Sequence, residues 1–415
     1  MKTNILATAI TLLMTLPCGA QKLSGTWSGV LKLGVQKLSL VFHLSQDDNG
    51  NDICTIDSPD QGAKGIVGTV NHLSADSLSV SVPAIGMTYT GTLTGDAIKG
   101  TFTQNGMQLP LELEAGVKEK SRPQTPVPPY PYATEEVKFT NTAANATLAG
   151  TLTYPIGYEA GKKVPVVLLV TGSGSQNRDE EVFDHKPFLV IADHFARHGI
   201  ATLRYDDRGF AESTGDAKNS TTRDNADDAK AGLMFLREQG KFDHVGVLGH
   251  SEGASIGFML GAEGLTDFVI SLAGIGVKGD TALTAQVNRI AELMGVPAQI
   301  TNTEQYRVNA ALMNHPWLSY FVDYDPCLDI SATKCPVMAL NGTLDVQVVA
   351  DLNLAGIRRC LPDNGCNVIK EYPGLNHLFQ SCTTGLPDEY DNIAETMSPI
   401  VLKDMVEWIK EITKK

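Results

Sequence analysis

Residues 247–255 read VLGHSEGAS and place Ser251 between Gly249 and Gly253, a Gly-x-Ser-x-Gly spacing. In a chain with 39 glycines that spacing can arise by accident and is only moderate evidence by itself, so its surroundings decide the reading. Before Ser251, VGVLG is an apolar strand pattern. After it, EGASIGFMLGAEG reads as a helix whose small residues permit close packing. Strand, sharp turn and helix form the context of a nucleophile elbow, where side chains at 249 and 253 would collide as the chain reverses. Ser251 is therefore read as a nucleophile.

Working outward, the chain past Thr134 alternates strand and helix. KVPVVLLVTG is a continuous apolar run suited to a strand covered on both faces. KPFLVIADHFARHG is a helix that stops at Gly199. IATLRYD, VGVLG, FVISLAG, PVMALNG and CNVIKEY repeat the strand texture, TTRDNADDAKAGLMFLREQG is a further helix, and SPIVLKDMVEWIKEITKK closes as an amphipathic one. The alternation predicts an α/β fold, a mostly parallel sheet flanked by helices, over residues 135–415. A helical cap is expected as an insertion at about 276–330.

A serine hydroxyl needs an imidazole to take its proton, and the imidazole needs a carboxylate to fix its tautomer. Two histidines follow Ser251. His315 falls in the cap segment and reads as a packing or surface residue, whereas His377, in EYPGLNHLFQ, follows the last strand. Asp345, in LNGTLDVQV, lies just past the strand PVMALNG. Asp323, Asp325 and Asp329 precede that strand and read as turn and helix-capping residues. Catalysis also needs two backbone donors for the developing oxyanion. The N–H of Glu252 and that of Ser173, in TGSGSQNRDE, are the candidates. That loop has neither G-x-G-x-x-G nor a P-loop lysine, so no nucleotide site is expected.

The first part of the chain has another texture. From about Leu23 to Glu114 the pattern has period two: KLSLVFHL alternates Leu38, Leu40, Phe42 and Leu44 with polar partners, and DSLSVSV and MTYTGTLTG do the same. This predicts a small antiparallel all-β domain over residues 21–115, a barrel or a sandwich. KEKSRPQTPVPPYPYATEE then forbids regular helix and predicts an extended linker at 116–134.

In this order VTGSGSQNRDE, YDDRGFAESTGD, GHSEG, YFVDYDP, LNGTLDVQV and GLNHLFQ resemble the bacterial α/β-hydrolase carboxylesterases of the EstD type, related to the serine aminopeptidase-like and dienelactone hydrolase-like groups. The resemblance runs from about Val137 to the C-terminus, and the β domain is similar to an accessory domain of some members. It implies an α/β-hydrolase fold and a secreted serine carboxylic ester hydrolase with Ser251, Asp345 and His377 as triad, but it does not supply the natural substrate, since this fold hosts many acyl transfers; short-chain acyl esters, acylated carbohydrates among them, are the substrates expected. No cofactor or metal is implied. Two rivals stay open: a peptidase or amidase with the same triad, and a surface protein that binds glycans through the β domain.

The 47 acidic against 33 basic residues give a net charge of -14, which repels nucleic acid and anionic lipid. Residues 1–20 have the layout of a secretory signal peptide, with lipid attachment at Cys18 as the competing reading, so a secreted or periplasmic protein without membrane insertion is expected. The six cysteines after Cys18 then suit an oxidising compartment. Local pairs, Cys327 with Cys335 and Cys360 with Cys366, are expected, with buried free thiols the alternative. Arg178, Asp179, Asp207 and Arg208 read as loop-ordering ion pairs, with Arg208 contacting an anionic substrate as the other option. His194 and His198, four apart, read as a solvated helix face rather than a metal pair.

Overall fold

A computed structural model describes residues 22–33, 36–61, 63–117, 121–297, 300 and 302–414; the signal-peptide reading of residues 1–20 lies outside them. The chain divides into two compact units between Glu119 and Lys120.

The first unit is a closed barrel of eight antiparallel strands in meander order: β1 (Gly25–Leu33), β2 (Gln36–Gln46), β3 (Asp52–Ser58), β4 (Ala63–Leu73), β5 (Ser77–Val82), β6 (Met87–Thr94), β7 (Ala97–Gln104) and β8 (Met107–Ala115). Of the two arrangements left open, closure leaves no strand edge unpaired, β1 meeting β8 at Ser28 and Glu114. The period-two pattern puts Leu40, Phe42 and Leu44 inside, where Leu78, Val80, Ile98 and Leu113 join them. Tyr89 is fully buried among them. Its hydroxyl donates to the Ile98 carbonyl at 3.0 Å and faces that of Leu111 at 3.3 Å. Gly91 and Gly100, paired across β6 and β7, make room for that hydroxyl, which any Cβ at either position would strike.

The second unit begins with the hairpin β9 (Thr134–Asn141) and β10 (Ala146–Thr153). It continues with β11 (Val164–Val170), α1 (Pro187–Arg197), β12 (Ala201–Tyr205), α2 (Thr222–Glu238), β13 (Phe242–His250), α3 (Glu252–Ala262) and β14 (Val269–Leu272). Four helices follow before the next strand: α4 (Gly279–Leu293), α5 (Thr303–Met313), α6 (Pro316–Asp323) and α7 (Pro326–Ala332). The chain ends with β15 (Val337–Gly342), α8 (Ala350–Cys360), β16 (Val368–Tyr372) and α9 (Pro399–Ile412). The sheet order is β16-β15-β14-β13-β11-β12-β10-β9, parallel except for the β9–β10 hairpin at one edge. With β11 central and Val166 to Val170 all buried, the sheet is covered on both faces. Phe188, Ile191 and Phe195 of α1 pack with Met405, Trp408 and Ile409 of α9 on one face. Ala226 and Leu233 of α2 pack with Ile256 and Met259 of α3 on the other. This is the α/β-hydrolase fold, with α4 to α7 inserted between β14 and β15.

Helix α2 starts where the sequence dictates. Thr221 and Asp224 form a reciprocal capping box, the Thr221 N–H donating to Asp224 at 2.9 Å. The proline-rich stretch lies on the second unit. There the Arg122 guanidinium donates to the carbonyls of Phe183, Asp391 and Ile393, and the Gln124 amide binds Met397 and Thr396.

The expected local cysteine pairs are not formed. Cys327 of α7 is bonded to Cys360 at the end of α8, with Cα atoms 5.4 Å apart, while Cys335 and Cys366 are free. Packing of α7 against α8 brings these side chains together, and short sequence separation plays no part in it.

The buried Tyr89 hydroxyl gives a direct test of the barrel. Tyr89→Phe removes the hydroxyl that reaches the Ile98 carbonyl and should cost about 1–2 kcal/mol, read in urea unfolding of the full chain from the exchange of β6 and β7 amides.

Candidate active site

Ser251 joins β13 to α3 with φ 54° and ψ -114°, a backbone state that a non-glycine residue holds only where its surroundings over-determine it. Three contacts do so. The Ser251 N–H donates to the Leu272 carbonyl of β14 at 2.8 Å, a Cβ at Gly249 would collide with the Gly253 carbonyl, and a Cβ at Gly253 would collide with that of Val170. The side chain is thereby presented at the carboxyl end of the sheet, on a cavity of about 510 Å³. His377, Ser173 and Glu252 line the same cavity, as do Ile275, Trp317 and Phe321.

His377 and Asp345 reach this end from the loops after β16 and β15. His377 Nδ1 lies 2.8 Å from Asp345 Oδ2, and both residues are buried. The other carboxylate oxygen of Asp345 accepts the N–H groups of Gln347 and Val348, each at 2.8 Å. A carboxylate so committed holds Nδ1 as the donor and leaves Nε2 as the basic nitrogen. Asn376 shapes the loop: its side-chain oxygen accepts from the N–H groups of Leu378 and Gln380, and its amide donates to the Gln380 side chain. His315 stands apart as the residue before α6, its ring edge-on to Trp317.

The loop after β11 carries the other donor candidate. The Gly172 N–H is committed to Glu180 Oε1 at 2.9 Å, so Ser173 is the first residue of the loop whose N–H can turn to the cavity. Glu252, at the first position of α3, has no intrahelical partner for its N–H. The residue is 3% exposed, and its Oε1 has no hydrogen-bond partner. Burial pushes this carboxyl above the ordinary glutamate value, and the facing Thr222, Trp317 and Ser173 side chains offset that only in part.

Arg178, Asp179 and Arg208 form ion pairs, as expected, but with partners outside the set that the sequence singled out. Arg178 binds Asp206, with Nη2 to Oδ2 at 2.7 Å, and also reaches Glu136 and Glu212. Just past β12 the two neighbouring carboxylates go to different partners, Asp206 to Arg178 and Asp207 to Thr171 and Gln176. Burial would raise the Asp206 carboxyl, but the Arg178 guanidinium pulls it below the ordinary aspartate value. Asp179 pairs with Arg204. Arg208 is spent on Asp228, with Nε to Oδ2 at 2.6 Å, which removes the reading of Arg208 as a substrate anchor. Asp207 accepts from Thr171 Oγ1 at 2.8 Å and from the Gln176 N–H at 2.8 Å, fixing the Ser173 loop to β12. The rings of His194 and His198 are tilted against each other with centroids 4.4 Å apart, and among the described residues no group of three or more His, Cys, Asp or Glu could hold a metal ion.

Sequence reasoning missed Glu180, Asp206, Asp228 and the partner of His250. His250 stood inside the opening motif, but nothing in the pattern named what its ring would meet.

Fold and elbow define the class of the second unit, an α/β-hydrolase. Residues 186–342 match the serine aminopeptidase family S33. The chain is 30% identical over 246 residues to esterase EstD of Thermotoga maritima, which bears out the resemblance read from the motifs; the match covers 56% of this chain and 58% of that protein's length. Solved structures similar to it include Est1E of Butyrivibrio proteoclasticus with ferulic acid bound, at 15% identity and a TM-score of 0.47 over 67% of this chain and all of the other. An esterase of Pyrococcus furiosus is 16% identical, with a TM-score of 0.46 over 72% of this chain and 98% of the other.

Asp207 makes the stability of this end depend on pH. Burial, first, and the charges of Glu180 and Glu252 push its carboxyl up to about 8 from 3.8, against the pull of Thr171 and Gln176. Between those values the folded chain keeps a proton that the unfolded chain has lost, so the Asp207 contribution falls as pH rises from about 4 to 8. Thermal melts across that range should show a shallower decline for Asp207→Asn than for the wild type; parallel curves would contradict the assignment.

Proposed function

We propose that the protein is a secreted carboxylic ester hydrolase that works through a Ser251–His377–Asp345 triad and an acyl-enzyme. The observation that carries the reading is the buried 2.8 Å contact of His377 Nδ1 with Asp345, on the cavity where Ser251 is held in a strained elbow. His377 Nε2 takes the Ser251 proton as Oγ attacks the ester carbonyl. The N–H groups of Ser173 and Glu252 receive the oxyanion, and His377 returns the proton to the leaving alcohol. Water activated by the same histidine then releases the acid. Ile275, Leu283, Trp317 and Phe321 give the cavity an apolar wall, which suits a short acyl chain or an aryl group. Export rests on residues 1–20, and acetylated or otherwise acylated carbohydrates are the natural esters we favour.

A second reading, hydrolysis of aminoacyl amides, is favoured by Glu252. Among the described residues no cation pairs with this buried carboxyl beside the nucleophile, and an ammonium group on a substrate would supply one.

The test is a p-nitrophenyl ester series from acetate to longer chains, run beside aminoacyl p-nitroanilides. Ester turnover strongest on short chains is expected. Ser251→Ala should remove it, with a fall of at least about 10⁴-fold, while the melting temperature stays within about 2 °C. Retained turnover would overturn the nucleophile. Faster anilide than ester turnover, lost in Glu252→Gln, would establish the second reading instead.

A further inference from the structure

We infer that His250 is held as a buried imidazolium by Glu180, and that this pair is a positioning unit tying the Ser173 loop and the His377 loop to the strand that carries Ser251. The inference rests on the proposed triad for its kinetic consequence, though not for the charge of the ring.

The charge follows from what the ring nitrogens face. His250 ends β13, and its side chain is 8% exposed. Nε2 lies 3.0 Å from the backbone carbonyl of His377, which can only accept, so Nε2 carries a proton. Nδ1 lies 2.9 Å from Glu180 Oε1. That oxygen already accepts the Gly172 N–H at 2.9 Å, so it acts as a carboxylate oxygen and Nδ1 donates as well. Two donating nitrogens make a cation. Glu180, with its side chain 4% exposed, is the counter-ion.

The surroundings leave the ring little choice. Pro187 and Phe188 of α1, Leu272 of β14, Leu378 and Met397 form the apolar wall around the pair. The ionisable groups that face it are Glu180 itself, the His377 ring with its centroid 4.6 Å away, Asp345 beyond that ring, and Asp207 and Glu252 on the oxyanion side. Burial alone would push the His250 imidazole down, but the Glu180 charge and hydrogen bond, with the His377 carbonyl and Asp345, carry it above the ordinary histidine value.

The pair also has the connectivity of a positioning device. The oxyanion loop, the elbow and the His377 loop come from three separate stretches of chain. Gly172 N–H, Glu180, His250 and the His377 carbonyl link them in one unbroken line. Glu180 holds its place with φ 53°, a left-handed state that a glutamate adopts only under constraint. Asp345 sets the orientation of the His377 ring; His250 sets the position of its backbone.

The test uses the full chain with ¹⁵N-labelled histidine, His250 being assigned by its loss in His250→Gln. Long-range ¹H–¹⁵N spectra should show both ring nitrogens of His250 protonated and unmoved from pH 5 to 8. In Glu180→Gln one of them should be bare at pH 8. A single-tautomer neutral ring in the wild type at pH 7 would overturn the proposal, whether or not the variants fold. For folded Glu180→Gln, kcat on p-nitrophenyl acetate should fall about 10- to 100-fold with KM within about twofold. An unchanged kcat would overturn the positioning role. If the wild type turned over no ester at all, the proposed function would fail while the spectra still decided the charge of His250.

Discussion

The second unit is organised around the space that two glycines leave between β13 and α3. Ser251 can occupy its strained turn because the Gly253 carbonyl passes where a side chain at 249 would stand, and the Val170 carbonyl passes where one at 253 would stand. That close approach sets the angle of α3 beneath the sheet and aims the N-terminus of the helix at the cavity. It also fixes which loops can reach the serine, because β11 and β14, the neighbours of β13, deliver the Ser173 loop and the Leu272 carbonyl that binds the Ser251 N–H. A hydroxyl group on a turn is ordinary; main chain close on three sides gives this one a single place at the mouth of the cavity.

Charge at the carboxyl end of the sheet is distributed with the same economy. Asp206 and Asp228 are answered by arginines, Asp345 by two backbone N–H groups and an imidazole, Glu180 by His250, and Asp207 by a hydroxyl and an N–H. Glu252 keeps a buried oxygen, Oε1, without a partner. The arginine pairs bind loops to the body of the unit, whereas Asp207 and Glu252, which have no arginine partner, are driven by burial toward the neutral form.

Much of this was legible in the residues. Period two in KLSLVFHL and DSLSVSV belongs to strands with one buried face, and continuous apolar runs such as VPVVLLV belong to a sheet covered twice, so the two units announced themselves separately. His377 and Asp345 could be picked from their positions just past strands, since a parallel sheet gathers those loops at one end, and they lie in contact. What depended on three-dimensional packing could not be read. Arg178 and Arg208 found Asp206 and Asp228, which no local pattern named as their partners, because separate loops and helices converge there. The cysteine bridge joined residues 33 apart because α7 lies on α8. Glu180 and His250, 70 residues apart, meet only once β11 and β13 are paired.

That cysteine bridge has a topological consequence. The covalent loop it closes runs from Cys327 of α7 to Cys360 of α8, and β15 and Asp345 lie inside it. A protease that cut the backbone once anywhere within the loop would release nothing, since the two pieces would stay joined through sulfur. The aspartate that steadies His377 is therefore carried on a segment anchored at both ends by bonds that do not depend on the fold. A nick in the chain around it would leave Asp345 tethered to both α7 and α8.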